Sequence, residues 1–123
     1  FLQPLLRVAF HLILCPFCPH MYRPHRASQK GGVAPEDALA LIREAARLDG
    51  IRIRGLMTMM PALAEEKEML GWFPDMRLLR DRLREEAVAG TEITELSMGM
   101  SRDYHLAARC GATMVRVGSA LFR

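Results

Sequence analysis

Two short stretches of small polar residues have the composition of an anion-binding loop. Residues 97–101 read S-M-G-M-S and residues 118–120 read G-S-A, and each stretch follows a strand-like apolar run. If a helix begins at Arg102, Ser101 lies at or near its N-cap, where a hydroxyl and free backbone N–H groups attract negative charge. Gly118 would let a ligand approach the backbone, with the Ser119 hydroxyl beside it. The alternative is that these residues only shape turns.

The cysteines suggest a second kind of chemistry. Cys15 and Cys18 form a C-x-x-C pair, and His20 and His25 would complete four tetrahedral zinc ligands on paper. Zinc sites usually separate their ligand pairs by a longer segment that folds around the ion, and this segment is very short. We therefore favour incidental cysteines over a zinc site or a redox pair, and we expect Cys110 to be a small buried apolar residue.

Composition is that of an ordinary globular domain. The chain has 123 residues, of which 50% are apolar and 25% charged, with a formal net charge of +3. Its basic residues are interleaved with acids instead of forming a block, which argues against a nucleic-acid partner. Arg7 and His11 interrupt the apolar residues 1–19, so we predict neither a membrane segment nor a membrane partner.

Helix and strand patterns alternate from residue 31 onward. The predicted elements are a helix from Pro35 to Gly50, a strand over 51–57, a helix over 72–88, a strand over 93–96, a helix over 102–110 and a strand over 113–117. Helices of this length can cross over between parallel strands, so the pattern predicts an α/β fold of repeated βα units. Function in such folds lies at the carboxyl ends of the strands, here at residues 57–61, 97–101 and 118–120.

Three motifs also resemble a known family. They are G-L-M-T-M at residues 55–59, L-S-M-G-M-S-R-D at 96–103 and G-A-T-M-V-R-V-G-S-A-L-F at 111–122. These resemble the carboxyl-terminal half of the pyridoxal phosphate homeostasis proteins, which are (β/α) barrels akin to the amino-terminal domain of alanine racemase. The resemblance implies a partial (β/α) TIM-type barrel with parallel strands over residues 30–123. We expect residues 1–29, which do not match, to be a disordered or misjoined segment.

The resemblance further implies pyridoxal phosphate as the cofactor and a cytoplasmic role in cofactor homeostasis without catalysis. Matching positions imply that the cofactor is bound by Ser97, Met98, Gly99, Ser101, Arg116, Gly118 and Ser119. In this assignment the serines and Gly118 surround the phosphate, while Met98 and Gly99 shape the loop. Arg116 approaches the pyridine nitrogen, and an arginine there keeps that nitrogen unprotonated and weakens the ring as an electron sink.

The family attaches the cofactor aldehyde to a lysine on its first barrel strand, and residues 1–29 contain no lysine. Lys30 matches a different family element, and we expect Lys67 to lie in a polar loop. The leading hypothesis is therefore a truncated member that lacks the covalent anchor. A fragment of a pyridoxal phosphate-dependent racemase-type enzyme and a structural fragment without a ligand are the alternatives. A half barrel leaves open sheet edges, so we also expect self-association.

Overall fold

Four parallel strands form one sheet in the order β1-β2-β3-β4. The structure, a computed structural model, describes the backbone of residues 10–14 and all of residues 33–60 and 64–122. Its elements are β1 (Phe10–Leu14), a 3₁₀ turn (Pro35–Asp37), α1 (Ala38–Ala45), β2 (Ile51–Met57), α2 (Glu66–Glu85), β3 (Thr91–Met100), α3 (Tyr104–Arg109) and β4 (Met114–Arg116). Each described strand pairs with the next one in sequence, which confirms parallel βα architecture over these ranges.

The segment that was expected to lie outside the domain contributes a strand. Phe10–Leu14 pairs in parallel with β2, from Phe10 opposite Ile51 to Leu14 opposite Leu56. The apolar run here supplies backbone groups that an edge of β2 would otherwise leave unpaired. These five residues are therefore part of the sheet, while the expectation that residues 1–29 form a disordered or misjoined segment otherwise stays a prediction. The cysteine and histidine cluster and Lys30 lie outside the described residues.

The first helix begins as predicted but ends earlier. Pro35 opens a 3₁₀ turn whose acidic residues Glu36 and Asp37 lie at the positive end of the helix dipole. The α-helix that follows stops at Ala45, and turns then lead to Gly50, which has a φ of +80°. The last residues of the predicted helix, 46–50, therefore form turns.

The second helix begins earlier than predicted and ends earlier too. It spans Glu66–Glu85 instead of 72–88, because Glu65 and Glu68 form a capping box that starts the helix before its most apolar stretch. The backbone N–H of Glu65 donates to Glu68 Oε2 at 2.9 Å. Lys67 consequently lies in the first helical turn, and its predicted place in a polar loop is wrong.

One face of α2 supplies much of the core. Its buried side chains recur at helical spacing and are Met69, Trp72, Phe73, Met76, Leu79 and Leu83. They join the apolar residues of the sheet, including Ile53, Leu56 and Leu96, each of which is fully buried. This layer of helix on sheet holds the carboxyl ends of β2 and β3 in place.

Strand β3 is longer than the sequence predicts, and this changes the first candidate loop. The strand runs through Met100, because Ser97 pairs with Met57 on one side and Met114 on the other, and Met100 pairs with Arg116. Residues 97–100 are therefore mostly strand. The helix begins at Tyr104 with Asp103 as its N-cap residue, so Ser101 lies near the N-cap but not at it.

Candidate functional site

An open cleft of about 720 Å³ lies at the carboxyl ends of β3 and β4. It is lined by Met60, Met69, Met100, Ser101, Arg102, Asp103, Val115, Arg116, Val117, Gly118 and Ser119. The two loops singled out by the sequence thus contribute to one concavity, as expected for adjacent parallel strands.

The hydroxyl of Ser101 joins the two loops. Its Oγ accepts hydrogen bonds from the backbone N–H of Gly118 at 3.3 Å and of Ala120 at 3.1 Å. The carbonyl of Gly118 accepts in turn from the N–H of Leu121, which closes a tight turn. The N–H groups of Gly118 and Ala120 therefore converge on a single oxygen, the hydroxyl of Ser101.

One nitrogen of the Arg116 side chain donates a hydrogen bond, and a second nitrogen has no hydrogen-bond partner in the described residues. Its Nη2 donates to the carbonyl oxygen of Thr58 at 2.6 Å, which reaches past the end of β3 to the residue after β2. Its Nε is buried and has no hydrogen-bond partner in the described part of the chain. A buried N–H of a cation without an acceptor is costly, so the hydrogen-bonding capacity of this atom is unmet within the described residues.

The structure requires a glycine at Gly99 but not at Gly118. A Cβ on Gly118 would meet nothing within 4 Å, and its φ lies outside the left-handed region. Neither packing nor backbone conformation therefore requires glycine there, whereas close approach of a ligand would. Gly99 has a φ of +99°, and a Cβ there would lie 2.7 Å from the Cβ of Ala107, so this glycine is required by the fold.

Several lining residues of the cleft are apolar. They include Met60, Met69, Met100 and Val115, and Met60 and Met69 also belong to the core. Methionine side chains adapt their shape and make favourable contacts with aromatic rings. The cleft therefore combines donors for an anion with a surface suited to a planar ring.

The predicted site residues divide into two groups. Ser101, Arg116, Gly118 and Ser119 line the cleft. Ser97, Met98 and Gly99 are buried behind it, with Met98 fully inaccessible. The Ser97 carbonyl accepts from the Thr58 N–H at 3.0 Å, so Ser97 positions the residue that anchors Arg116.

Sequence reasoning missed two main-chain contributors to the site. The Thr58 carbonyl and the Ala120 N–H act through the main chain, so their residue types carry no signal. Asp103 is buried and its Oδ1 accepts from the N–H of Met100 at 2.6 Å, which fixes the turn between β3 and α3. Asp103 is the N-cap residue of α3 by position but makes no side-chain hydrogen bond to the helix, so its carboxylate holds the preceding turn.

The described residues contain neither a candidate metal cluster nor a membrane-spanning helix. Within residues 33–60 and 64–122, no group of three or more histidine, cysteine, aspartate or glutamate side chains is placed to hold a metal ion. None of the helices in those ranges is long and apolar enough to cross a membrane.

Curated relatives carry one common name. The chain is 40% identical over 93 residues to the pyridoxal phosphate homeostasis protein of Aquifex aeolicus, a match that covers 76% of this chain and 40% of that protein. The protein of the same name from Deinococcus radiodurans is 41% identical over 102 residues, which covers 83% of this chain and 44% of the relative. The chain thus spans less than half the length of these relatives.

Solved structures show the same architecture. The structure of PipY from Synechococcus elongatus without pyridoxal phosphate matches with a TM-score of 0.81 and 33% identity, over 94% of this chain and 50% of PipY. The structure of PipY with pyridoxal phosphate bound matches with a TM-score of 0.72 and 32% identity, over 92% and 49% of the two chains. The family model for the alanine racemase N-terminal domain matches residues 26–123. The chain therefore belongs to the alanine racemase N-terminal domain family, and its similarity within that family is to the pyridoxal phosphate homeostasis proteins.

Proposed function

We propose that this chain binds pyridoxal phosphate in the cleft without a covalent bond and serves cofactor homeostasis inside the cell. The observation that carries the proposal is the cleft itself, in which Arg116, whose buried Nε lacks an acceptor in the described residues, lies with Ser101, Gly118 and Ser119. The PipY structure with pyridoxal phosphate bound supports the choice of ligand.

The residues present fit the chemistry of this cofactor. The phosphate would be held by Ser101, Gly118 and Ser119, where Gly118 leaves open space and the serine hydroxyls can donate hydrogen bonds. The pyridine nitrogen is an acceptor and would satisfy Arg116 Nε, while the methionine side chains would pack against the ring. When bound, pyridoxal phosphate supplies an aldehyde that reacts with amines and a ring that can withdraw electrons.

Arg116 determines the protonation state at the ring nitrogen in this proposal. A guanidinium is always charged and only donates hydrogen bonds. A donor of this kind beside the pyridine nitrogen favours the unprotonated ring, which withdraws electrons weakly. Such a ring suits binding and carriage better than reactions that require a strong electron sink.

We propose further that the chain lacks the covalent anchor of a family member. Its two lysines are Lys30, which lies outside the described residues, and Lys67. Lys67 is exposed on α2 two positions before Met69, which lines the cleft, and residues two apart lie on different faces of a helix. Lys67 is therefore poorly placed to reach a cofactor in the cleft.

A racemase-type enzyme is not favoured by the described residues. It would need a lysine and an acid–base partner on opposite faces of the cofactor. Tyr104 is 41% exposed at the start of α3 and is not among the residues that line the cleft. The arrangement therefore supports a binding role over catalysis.

Ser97, Met98 and Gly99 support the site from behind in this proposal. The hydrogen bond from Thr58 to Ser97 holds the carbonyl that anchors Arg116. Gly99 lets α3 pack closely against β3, since a side chain there would strike Ala107.

We also infer that the isolated chain self-associates through the open edge at β4. Met114 and Val115 on this strand are 37% and 42% exposed, and Leu121 and Phe122 nearby are 71% and 88% exposed. An exposed apolar edge strand pairs readily with another chain.

A lysine-free variant tests the proposed function directly. The double variant Lys30→Arg, Lys67→Arg removes both side-chain amines, so its binding of pyridoxal phosphate can be measured by intrinsic fluorescence quenching without covalent attachment. We expect saturable binding equal to that of the parent chain within about twofold. Borohydride treatment of the parent followed by mass spectrometry should give no stoichiometric adduct. Loss of binding in the double variant, or one fully labelled lysine in the parent, would contradict the proposal.

A further inference from the structure

A row of residues on α2 faces away from the core and contains exposed leucines. At 3.6 residues per turn its members lie within about 80° of the helix circumference, and they are Lys67, Leu70, Pro74, Leu78, Asp81 and Glu85. The buried residues of α2 lie on the opposite side and belong to the core. Leu70 and Leu78 are 46% and 55% exposed, so core packing does not account for a leucine at either position. We call this row the outer stripe of α2.

The outer stripe is symmetric about Pro74. Leu70 precedes Pro74 by four residues and Leu78 follows it by four. Lys67 precedes it by seven and Asp81 follows it by seven. In an antiparallel pair of identical helices with a two-fold axis at Pro74, each residue faces the one at equal distance beyond the axis. Single exposed leucines are common on protein surfaces, but this spacing makes the outer stripe complementary to itself.

Gly71 gives this surface a depression beside the leucines. It lies inside α2, where glycine is less favourable than any residue except proline. A Cβ there would meet nothing within 4 Å, and its φ lies outside the left-handed region, so the fold does not require glycine. Helix positions i, i+3, i+4 and i+7 form the hole that receives a side chain of a facing helix, here Lys67, Leu70, Gly71 and Pro74. This hole has room for Leu78 of a second copy.

Charges at the two ends of the outer stripe favour the antiparallel orientation. The amino end carries Lys67, and the carboxyl end carries Asp81 and Glu85. In a parallel pair like charges would face each other, whereas in the antiparallel pair each lysine lies near the carboxylates of the second copy. Asp81 also binds Arg80 at 2.9 Å and Arg84 at 3.7 Å on its own helix. The apolar contact therefore supplies most of the attraction, and the charges select the orientation.

We propose that a second copy of this chain docks on the outer stripe in the antiparallel orientation, with Leu78 of each copy seated against Leu70 and Gly71 of the other. This surface is separate from the open edge of the sheet, because α2 packs on β3 whereas β4 is the last strand in the sheet order. None of its residues lines the cleft, so the inference goes beyond the proposed function and does not depend on ligand binding.

Two complementary charge substitutions test the register. Every chain carries Met114→Lys, so that pairing at the β4 edge does not contribute. Sedimentation equilibrium measures dimerisation of this parent, of chains with Leu70→Glu or Leu78→Lys added, and of an equimolar mixture of those two chains. Each added substitution should weaken dimerisation about tenfold or more, because it places a charge against an apolar side chain. The mixture should return to within about threefold of the parent, because the introduced charges, opposite in sign, then face each other.

The control removes an exposed leucine elsewhere. Leu48 is 56% exposed in the turn after α1, so Leu48→Lys in the same parent should leave dimerisation unchanged. Circular dichroism melting of every chain checks that the fold is retained, and the substituted leucines lie outside the core.

Three results would overturn the proposal. A parent that stays monomeric at about 1 mM would show that a second copy does not cover the outer stripe. Undiminished dimerisation of both singly substituted chains would place the contact elsewhere. Loss in both chains without recovery in the mixture would exclude the antiparallel register. Pyridoxal phosphate binding should be equal in all of these chains, so its failure would affect the proposed function and leave this inference standing.

Discussion

Arg116 on β4 and Thr58 after β2 are joined by a hydrogen bond of 2.6 Å that bypasses the strand between them. The bond fixes one end of the guanidinium. The buried Nε of the same group has no hydrogen-bond acceptor in the described ranges. Because the anchor is a main-chain carbonyl, it does not depend on the side chain at position 58. This relationship makes Arg116 the residue whose loss should affect ligand binding most clearly.

The substitution Arg116→Ala should weaken pyridoxal phosphate binding by about tenfold or more, because a hydrogen bond to a charged group contributes about 1.5–3 kcal/mol. Fluorescence titration measures the effect. Arg47→Ala is the matched control, since it removes the same charge from an exposed turn away from the cleft. Equal losses in the two variants would show that net charge, and not the Arg116 contact, controls binding.

Gly118→Val should abolish most binding of pyridoxal phosphate while the melting temperature stays close to that of the parent. The side chain would enter open space in the cleft that the phosphate is proposed to occupy, and overpacking there should reduce affinity by about tenfold or more. Gly71→Ala is the control. It adds a Cβ in open space on α2 and should stabilise the fold by about 0.5–1 kcal/mol without affecting binding. Undiminished binding by Gly118→Val would place the phosphate elsewhere.

Gly99→Ala should destabilise the fold itself. The new Cβ would lie 2.7 Å from the Cβ of Ala107 and 3.0 Å from the Cα of Tyr104, on a backbone with a φ of +99°. Strain and overpacking together should lower the free energy of unfolding by about 2–4 kcal/mol, as measured by chemical denaturation. The companion variant Gly99→Ala, Ala107→Gly should recover part of this loss. A neutral Gly99→Ala would show that α3 moves freely against β3.

Met114→Lys should reduce self-association of the isolated chain. The residue lies on the exposed edge strand outside the cleft, and a lysine on an edge strand opposes pairing with another chain. Sedimentation at micromolar concentration measures the change. Leu48→Lys is the control, because Leu48 is 56% exposed in the turn after α1 and lies away from the sheet edge. An equal effect of both substitutions would indicate general solubility instead of edge pairing.

The sequence predicted an element correctly where its hydrophobic periodicity and its boundary residues indicate the same structure. Strand β2 was predicted with its observed limits, because alternation followed by a buried run leaves one interpretation. The start of α2 was missed because its capping box uses two glutamates, Glu65 and Glu68, in a stretch that reads as a polar loop. Strand β3 was cut short because serine and glycine resemble a turn, whereas pairing with both neighbouring strands extends it to Met100.

In the candidate site, the sequence predicted the side chains that contribute but not the main-chain atoms. The sequence singled out Ser101, Gly118, Ser119 and Arg116, and the structure brings all four to one cleft. The acceptor of Arg116 and the donors to Ser101 are main-chain atoms, so their positions follow from strand register and turn geometry. Such contacts are set by tertiary structure and are not encoded in any short motif.

Because the strands lie side by side in sequence order, the rate of amide hydrogen exchange should differ from strand to strand across the sheet. Strands β2 and β3 bear fully buried core residues, whereas β4 has only three residues and no buried one. Amide groups on β4 and the following turn should therefore exchange through local opening, at rates far above those of β2. A ligand that bridges Ser101 and Gly118 would close this opening, so its affinity includes the free energy needed to order the last strand.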